Sequence, residues 1–302
     1  MRKSGVLFLV TLVAGMARSY SCRVGKICAL RVFALDVTHR HGKIHLMNYP
    51  TFSEQLSFSG AQHFLLDARL DIPKDMEPHA YLVLSHCFTC TKETLTTARV
   101  ARGLAQQGYA VLRFDFTGLG GSEGEFADTN FSTMVGDVLA ACDFLQQHYQ
   151  PPFALLGHSM GGTAALLASR EVDACKTVVT LASPSQPAQV LHHFGSVLQQ
   201  LEAGHDACIK VAGVQYPVKP QFINDVRAIN MQQAMAGYQK PLLAIRAAFD
   251  ALVKPDAAEQ IAALTLGPSR VLQIPGTDHL FSDRQATLGM IDNIANWLAE
   301  QE

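Results

Sequence analysis

Residues 153–168 read FALLGHSMGGTAALLA, and this stretch decides the fold. An apolar run typical of a buried strand leads into the pentapeptide GHSMG at 157–161, and a helix rich in small residues follows. Gly-x-Ser-x-Gly between a strand and a helix predicts a nucleophile elbow, a turn so tight that only small neighbours fit. We therefore expect Ser159 to project at the carboxyl edge of a sheet as a nucleophile. An ordinary strand-to-helix turn is the alternative.

The rest of the chain alternates buried strands with amphipathic helices. A two-stranded ribbon with one wet face is predicted at 55–59 and 63–72. Continuous apolar runs predict buried strands at 80–85, 110–114, 153–156, 177–181, 241–247 and 270–274. Helical spacing predicts helices at 94–107, 131–148, 161–170, 256–264 and 286–299. Together these elements predict a mostly parallel central sheet with helices on both faces.

A serine nucleophile needs a general base and an acid that orients the base. After an elbow, the chain order is Ser, then Asp or Glu, then His. Strand 241–247 leads to Asp250 and strand 270–274 leads to His279. Because the carboxyl ends of parallel strands share one edge of a sheet, these side chains are expected beside Ser159. We predict a Ser159, His279 and Asp250 triad.

Four other polar residues near these positions are expected to have structural roles. Asp278 is expected to shape the loop before His279, and Asp256 to begin a helix, where an acid favours the positive end. His158 and His86 are expected to pack or to hydrogen-bond backbone groups, and not to act as the base.

Acyl transfer places negative charge on an oxygen, which needs fixed hydrogen-bond donors. One donor is expected to be the backbone N–H of Met160, directly after the nucleophile. The other is expected in the loop after the third strand, where position selects the Phe88 N–H. The same loop carries the C-x-x-C of Cys87 and Cys90, which we assign to oxyanion-loop architecture and not to redox or zinc chemistry.

From about residue 52 to its C-terminus, the chain resembles the serine hydrolase branch of the α/β-hydrolase superfamily. Three blocks are similar to a hydrolase family often fused to an OsmC-like domain: SEQLSFSG at 53–60, SHCFTCTK at 85–92 and LRFDFTGLGGSEGEFADTNFS at 112–132. The resemblance implies that H-C-F-T-C replaces the usual H-G oxyanion loop, and that Ser159, Asp250 and His279 are the catalytic residues. Because the chain ends one helix after His279, no OsmC-like domain is expected.

Residues 183–239 follow the sixth strand and are more than one crossover helix needs. An apolar helical stripe runs over 190–201, a small hairpin surrounds Gly213, and a further helix is predicted over 222–235. The superfamily carries its lid at this place, so the segment is predicted to be a lid-like insertion. Alternatively, its stripe simply packs on the sheet. An apolar lid would suit a short or medium acyl group or an aromatic one.

Residues 1–46 differ in charge from the rest of the chain. They hold eight Lys and Arg and one acidic residue, so the other 256 residues carry −9 of a total net charge of −2. A basic start and the apolar run 5–17 fit the outline of a secretory signal peptide, although the run is too short to span a bilayer. Alternatively, Met47 is the true start. The hydrolase domain is predicted over 47–302.

Composition excludes several classes of protein. With 48% hydrophobic and 17% charged residues, the chain is expected to fold and not to be disordered. The body of the chain has no basic cluster, which argues against a nucleic-acid partner, and no motif calls for a cofactor or a metal. Seven cysteines, an odd number, favour a reducing compartment. A cytoplasmic location is therefore expected, unless residues 1–17 direct export.

The leading functional hypothesis is hydrolysis of a small-molecule carboxylic ester or thioester through an acyl-Ser159 intermediate. One alternative uses the same triad on an amide or peptide, lactone or carbon–carbon bond. Another is a non-catalytic ligand-binding protein with this fold.

Overall fold

An eight-stranded sheet forms the centre of the computed structural model, which describes residues 48–302. The strands of the described residues are β1 (Thr51–Ser59), β2 (Leu65–Pro73), β3 (Tyr81–Ser85), β4 (Ala110–Phe114), β5 (Ala154–His158), β6 (Thr177–Leu181), β7 (Ala207–Val211), β8 (Val214–Val218), β9 (Leu242–Phe249) and β10 (Ser269–Asp278). The α-helices are α1 (Leu95–Gln106), α2 (Phe131–His148), α3 (Met160–Ala168), α4 (Val197–Glu202), α5 (Pro220–Ala228), α6 (Met231–Ala234), α7 (Ala257–Ala262) and α8 (Arg284–Ala299).

The strand order of the sheet is β1-β2-β4-β3-β5-β6-β9-β10. β1 pairs with β2, and β2 with β4, in antiparallel register, while every other neighbouring pair is parallel. All residues of β4, β5 and β6 are buried, which explains their continuous apolar runs. The predicted mostly parallel sheet is confirmed, and the ribbon predicted before it is the β1–β2 hairpin.

Helices cover both faces of the sheet, as predicted. One hydrophobic cluster joins α2 and α3 to the sheet, through buried residues such as Val138 and Leu166. A second cluster, on α1 and α8, includes Leu104 and Ile291. Trp297 of α8 also donates a hydrogen bond from Nε1 to Thr177 Oγ1, at 2.8 Å. The two layers leave the carboxyl ends of the parallel strands free to carry loops.

The segment after β6 contains a 3-10 helix (Pro187–His193), α4, the β7–β8 hairpin, α5 and α6. The hairpin around Gly213 is confirmed. The prediction of one helix over 222–235 is wrong, because α5 ends at Ala228 and Ile229 is extended, with φ −88° and ψ 118°. Asn230 then accepts a hydrogen bond from the Gln233 N–H and starts α6. A side-chain cap thus divides an apolar pattern that reads as continuous.

Residues 1–46, with both interpretations of them, lie outside the described residues. Within residues 48–302, the helices are too short or too polar to cross a membrane.

Candidate active site

The turn between β5 and α3 holds Ser159 in a backbone conformation that residues other than glycine rarely adopt. Its φ is 54° and its ψ is −130°. The flanking glycines make this turn possible, because a Cβ on Gly157 would collide with the Gly161 carbonyl, and one on Gly161 with the His86 carbonyl. The Ser159 side chain is half-buried at the carboxyl end of β5. The local geometry is the one that a nucleophile elbow requires.

Asp250 and His279 meet at the same edge of the sheet. Asp250 follows β9, His279 follows β10, and His279 Nδ1 lies 2.8 Å from Asp250 Oδ2. The other carboxylate oxygen accepts the N–H groups of Leu252 and Val253, at 2.8 and 2.9 Å. Burial alone would raise the pKa of Asp250, but the hydrogen bonds from His279, Val253 and Leu252 lower it overall. Since an ionised carboxylate only accepts, Nδ1 of His279 is the donor in this contact, and in the neutral ring Nε2 is then the acceptor.

The elbow and the His279 loop are joined through His158. The His158 ring donates from Nε2 to the carbonyl oxygen of His279, at 2.8 Å, and the two ring centroids lie 4.9 Å apart. Burial, with the neighbouring His279, lowers the pKa of His158 to about 3, so the ring is neutral. Within residues 48–302 no hydrogen bond joins the Ser159 hydroxyl to the His279 ring. In unliganded enzymes such bonds are often long and shorten when substrate binds.

The other polar residues weighed from the sequence make structural contacts. Asp278 accepts hydrogen bonds from the N–H and the hydroxyl of Ser282, at 3.0 and 2.9 Å, and so shapes the loop around His279. Asp256 precedes α7 and accepts a hydrogen bond from the Gln260 amide at 2.8 Å. Neither acid contacts the His279 ring.

The two backbone N–H groups predicted as oxyanion donors belong to adjacent segments. Gly161 of α3 packs directly on the His86 carbonyl, so the start of α3 abuts the loop after β3. In the part of the chain that the structure describes, neither the Phe88 N–H nor the Met160 N–H has a hydrogen-bond acceptor. Both N–H groups are therefore free to donate to another group.

His86 restrains the peptide between Cys87 and Phe88 by binding its carbonyl end, opposite the Phe88 N–H. The Phe116 N–H donates to His86 Nε2 at 3.2 Å, so this nitrogen is an acceptor and the ring proton lies on Nδ1. Nδ1 donates in turn to the Cys87 carbonyl at 2.7 Å. Burial lowers the pKa of His86 to about 4 and keeps the ring neutral. His86 and His158 thus both bond backbone carbonyls, as expected from the sequence.

Cys87 and Cys90 form a disulfide bond within this loop, with their Cα atoms 5.2 Å apart. From the sequence, the C-x-x-C is expected to belong to loop architecture and to have no redox role. The structure adds a disulfide bond, which that interpretation did not include. The odd number of cysteines gave no sign of this pair. The other cysteines of the described residues, Cys142, Cys175 and Cys208, are free.

The segment after β6 packs on the loop after β3, which carries the proposed donor Phe88. The Tyr216 hydroxyl of β8 donates to the Thr89 carbonyl at 3.1 Å. The Phe88 ring packs on Phe126 and Phe222, with centroids 5.3 and 4.9 Å away. No sequence pattern signalled these contacts, because they join residues that are at least 38 positions apart in the chain.

Comparison with known proteins identifies the family and the fold. Residues 76–225 match the family model Hydrolase_4, described as serine aminopeptidase, S33. No curated protein matches the sequence. The esterase domain of a Rhodothermus marinus protein is 31% identical, with a TM-score of 0.67, over 82% of this chain and 98% of that domain.

Two further solved structures share the fold at lower identity. Est1E from Butyrivibrio proteoclasticus, solved with ferulic acid bound, is 22% identical, with a TM-score of 0.69, over 81% of this chain and 98% of its own. The Pyrococcus furiosus esterase Pf2001 is 17% identical, with a TM-score of 0.62, over 83% of this chain and 93% of its own. These two likenesses show the fold alone. The family model and the Rhodothermus marinus domain indicate hydrolase activity, and the chain belongs to the α/β-hydrolase superfamily.

Proposed function

We propose that the protein is a serine hydrolase that cleaves a carboxylic ester or thioester through an acyl-Ser159 intermediate. The observation that carries this proposal is the 2.8 Å contact between His279 and Asp250, at the sheet edge where the elbow presents Ser159. A nucleophile, a base with a defined tautomer and an ionised orienting acid are the three parts that acyl transfer needs.

In the first half-reaction, His279 Nε2 takes the Ser159 proton while Oγ attacks the substrate carbonyl carbon. The carbonyl oxygen becomes an oxyanion, which the Phe88 and Met160 N–H groups stabilise. Asp250 holds the imidazolium that forms and stays ionised itself. As the tetrahedral intermediate collapses, His279 returns the proton to the leaving alcohol or thiol, and the acyl group remains on Ser159.

In the second half-reaction, His279 takes a proton from water, which attacks the acyl carbon in the same way. The carbonyl oxygen again occupies the oxyanion hole, and Ser159 leaves with the proton from His279. A carboxylic acid and the free enzyme result. The protein therefore needs no group beyond its own residues and water for the proposed reaction.

The aromatic surroundings of Phe88 support an apolar acyl group. Phe88 packs against Phe222, and Phe222 stacks on Phe194, with centroids 5.7 Å apart. Both Phe194 and Phe222 belong to the insertion, which therefore contributes apolar rings next to the proposed oxyanion loop. Phe194 and Phe222 are buried and support the half-buried Phe88 ring, which is the member of this group that an acyl group can meet. Short alkanoyl and aromatic acyl groups are the chemical classes that fit such a ring.

The test is hydrolysis of p-nitrophenyl acetate, hexanoate and a p-nitrophenyl cinnamate, with Ser159→Ala as the variant. Turnover is expected to fall by about 10⁴-fold or more, because the covalent intermediate cannot form. A fluorophosphonate probe should label the wild-type protein and leave Ser159→Ala unlabelled. Unchanged turnover in Ser159→Ala would exclude the mechanism, and an unlabelled wild type would favour a ligand-binding protein.

Asp250→Asn tests the orienting acid against a nearby acid. The variant keeps the shape of the side chain but favours the wrong His279 tautomer, so kcat is expected to fall by about 10²- to 10⁴-fold. Asp256→Asn lies in the following loop, outside the proposed triad, and should leave kcat unchanged. Equal effects of the two substitutions would argue against the assignment of Asp250.

A second candidate is amide hydrolysis on the same triad, which the match to a serine aminopeptidase model favours. Aminoacyl p-nitroanilides discriminate between the two candidates, because they release the same kind of chromophore from an amide bond. A kcat/KM on an anilide that equals or exceeds the ester values would favour the amide reaction. Ester turnover without anilide turnover would favour the leading proposal.

A further inference from the structure

We propose that the Cys87–Cys90 disulfide is a thiol–disulfide exchange site that sets the activity of the enzyme, with the oxidised form the more active one. The inference rests on the proposed function, because the disulfide closes the turn that carries the Phe88 N–H. The disulfide also lies outside the triad, so its state could change the rate without removing a catalytic group.

The direction of the Phe88 N–H depends on the carbonyl of Cys87. Both groups belong to one planar peptide unit, and the described residues contain no cis peptide, so the two point in opposite directions. The Cys87 carbonyl accepts two hydrogen bonds, from His86 Nδ1 at 2.7 Å and from the Cys90 N–H at 3.2 Å. A carbonyl held on one side directs the Phe88 N–H to the other side.

The disulfide reinforces the longer of the two hydrogen bonds to the Cys87 carbonyl, the one from the Cys90 N–H. His86 is fully buried at one end of the loop. At the other end, Lys92 is buried and binds Asp115 and Asp67 at 2.7 and 2.6 Å. Between these anchors, the Cys90 to Cys87 hydrogen bond and the disulfide close the same four-residue turn. The redox state of the pair therefore acts on the one part of the loop that its ends do not fix.

Reduction would open this turn. A disulfide keeps its sulfurs about 2 Å apart, whereas two thiols separate to van der Waals distance. The two side chains can then take separate rotamers, so the Cys90 N–H to Cys87 hydrogen bond alone closes the turn and opens more often. The hydrogen bonds from His86 and Tyr216 then remain, and with one restraint fewer the Phe88 N–H spends less time aligned with the oxyanion.

The exchange itself needs a dithiol reductant. Cys87 is buried and Cys90 is half-buried, so a thiolate of the reductant attacks Cys90 Sγ. A mixed disulfide forms, and Cys87 leaves as a thiolate that takes up a proton. The second thiolate of the reductant then attacks its own sulfur in the mixed disulfide, releases Cys90 as a thiol and leaves as a cyclic disulfide. Oxidised glutathione reverses the two-electron change by the same steps.

Other thiols must be separated from this effect. Burial raises the pKa of Cys142 and Cys175, the latter to about 11, which keeps both as unreactive thiols. Cys208 is exposed. The matched control therefore replaces Cys208, together with Cys22 and Cys28 of the N-terminal segment, by Ser and keeps the Cys87–Cys90 pair.

The experiment measures kcat and KM for p-nitrophenyl acetate on the full chain, after oxidation with glutathione disulfide and after reduction with dithiothreitol. Reduction is expected to lower kcat by about tenfold, less than the ~10²–10³ that loss of an oxyanion donor costs, with KM little changed. Affinity for a trifluoromethyl ketone inhibitor, whose adduct carries the oxyanion, should fall by a similar factor. Reoxidation should restore both values.

The control with Cys22, Cys28 and Cys208 replaced by Ser should show the same response. Cys87→Ala/Cys90→Ala should be slow under both conditions and insensitive to dithiothreitol. The inference is overturned if mass spectrometry shows the pair reduced while kcat and inhibitor affinity stay unchanged. It is also overturned if the double alanine variant still responds to dithiothreitol. If no Ser159-dependent turnover occurs in either redox state, the proposed function fails, and this inference fails with it.

Discussion

The elbow and the oxyanion loop lie against each other, yet they are held in place by different means. Ser159 is positioned by glycines within two places of it in sequence, together with the adjacent ends of β5 and α3. The Phe88 peptide is positioned by residues from elsewhere, including Phe116 and Tyr216, and by a disulfide within its own turn. The proposed nucleophile is thus set by local sequence, while the Phe88 N–H, the second proposed oxyanion donor, depends on long-range contacts.

Gly161→Val would break the contact that joins the two regions. A Cβ at this position collides with the His86 carbonyl, a backbone group that cannot move without displacing the oxyanion loop. We expect kcat/KM for p-nitrophenyl esters to fall by about 10²-fold or more, since a displacement of about 1 Å in a catalytic group costs that much. The fluorophosphonate labelling rate should fall in parallel.

Gly289→Ala provides the matched control. Gly289 lies in α8, and a Cβ there meets no atom within 4 Å. The substitution should leave kcat/KM unchanged and raise the melting temperature slightly, because Ala favours a helix over Gly by about 1 kcal/mol. Activity of Gly161→Val within twofold of the wild type would refute the backbone contact as the link between the two regions.

The pH dependence of stability tests the elbow and the oxyanion loop together, because each contains one buried histidine. Burial lowers the pKa of His158 in the elbow to about 3 and that of His86 in the oxyanion loop to about 4, from 6.5 in the unfolded chain. Below pH 6.5 the unfolded state therefore binds protons that the folded state does not, so stability falls as the pH falls. Between pH 7 and pH 5 we expect a loss of about 2 kcal/mol per histidine.

Urea unfolding at pH 7, 6 and 5 measures this loss. His158→Asn and His86→Asn should each remove about half of the loss of stability that the two histidines cause. Because His158 has the lower pKa, His158→Asn should still change the pH dependence of stability at pH values where His86→Asn no longer does. His205→Asn, which replaces an exposed histidine, should leave the slope unchanged. A wild-type stability that is constant from pH 7 to pH 5 would contradict the neutral, buried state of both rings.

Tyr216→Phe tests the long-range part of the comparison. The variant removes the hydroxyl that binds the Thr89 carbonyl but keeps the ring that packs on Phe126. Since one neutral hydrogen bond contributes about 1 kcal/mol, kcat is expected to fall by about threefold to fivefold. Tyr149→Phe removes a hydroxyl that binds Glu54 at 3.3 Å and should have no effect on kcat. If both variants match the wild type, the insertion does not support the oxyanion loop.

The sequence predicted those parts of the fold whose signals are local. Continuous apolar runs located the parallel strands, and GHSMG located the elbow, because glycine clearance and a strand–helix junction are encoded in adjacent residues. The pairing of Asp250 with His279 follows from the parallel direction of β9 and β10, which places their carboxyl ends side by side. Chain order and strand direction were therefore sufficient to bring these residues together.

The parts that could not be predicted depend on tertiary contacts. The break at Asn230 interrupts an apolar pattern that continues through it, since a cap competes with propensity only in context. β10 extends beyond Ile274 to Asp278 through a register shift that no periodicity reveals. The Cys87–Cys90 bond and the Tyr216 to Thr89 contact depend on a loop conformation that the motif alone does not specify.

The hydrogen bond from His158 to the His279 carbonyl limits how the site can be engineered. His158, which precedes Ser159, holds the backbone of His279, the proposed base. The GHSMG pentapeptide therefore cannot be transferred to another protein by itself. Another protein that receives the pentapeptide would need a loop whose backbone carbonyl lies within hydrogen-bond distance of the His158 ring, as that of His279 does here. It would also need a buried space for a neutral imidazole. Redesign of specificity should therefore keep positions 158 and 279 as a pair and vary the rings around Phe88.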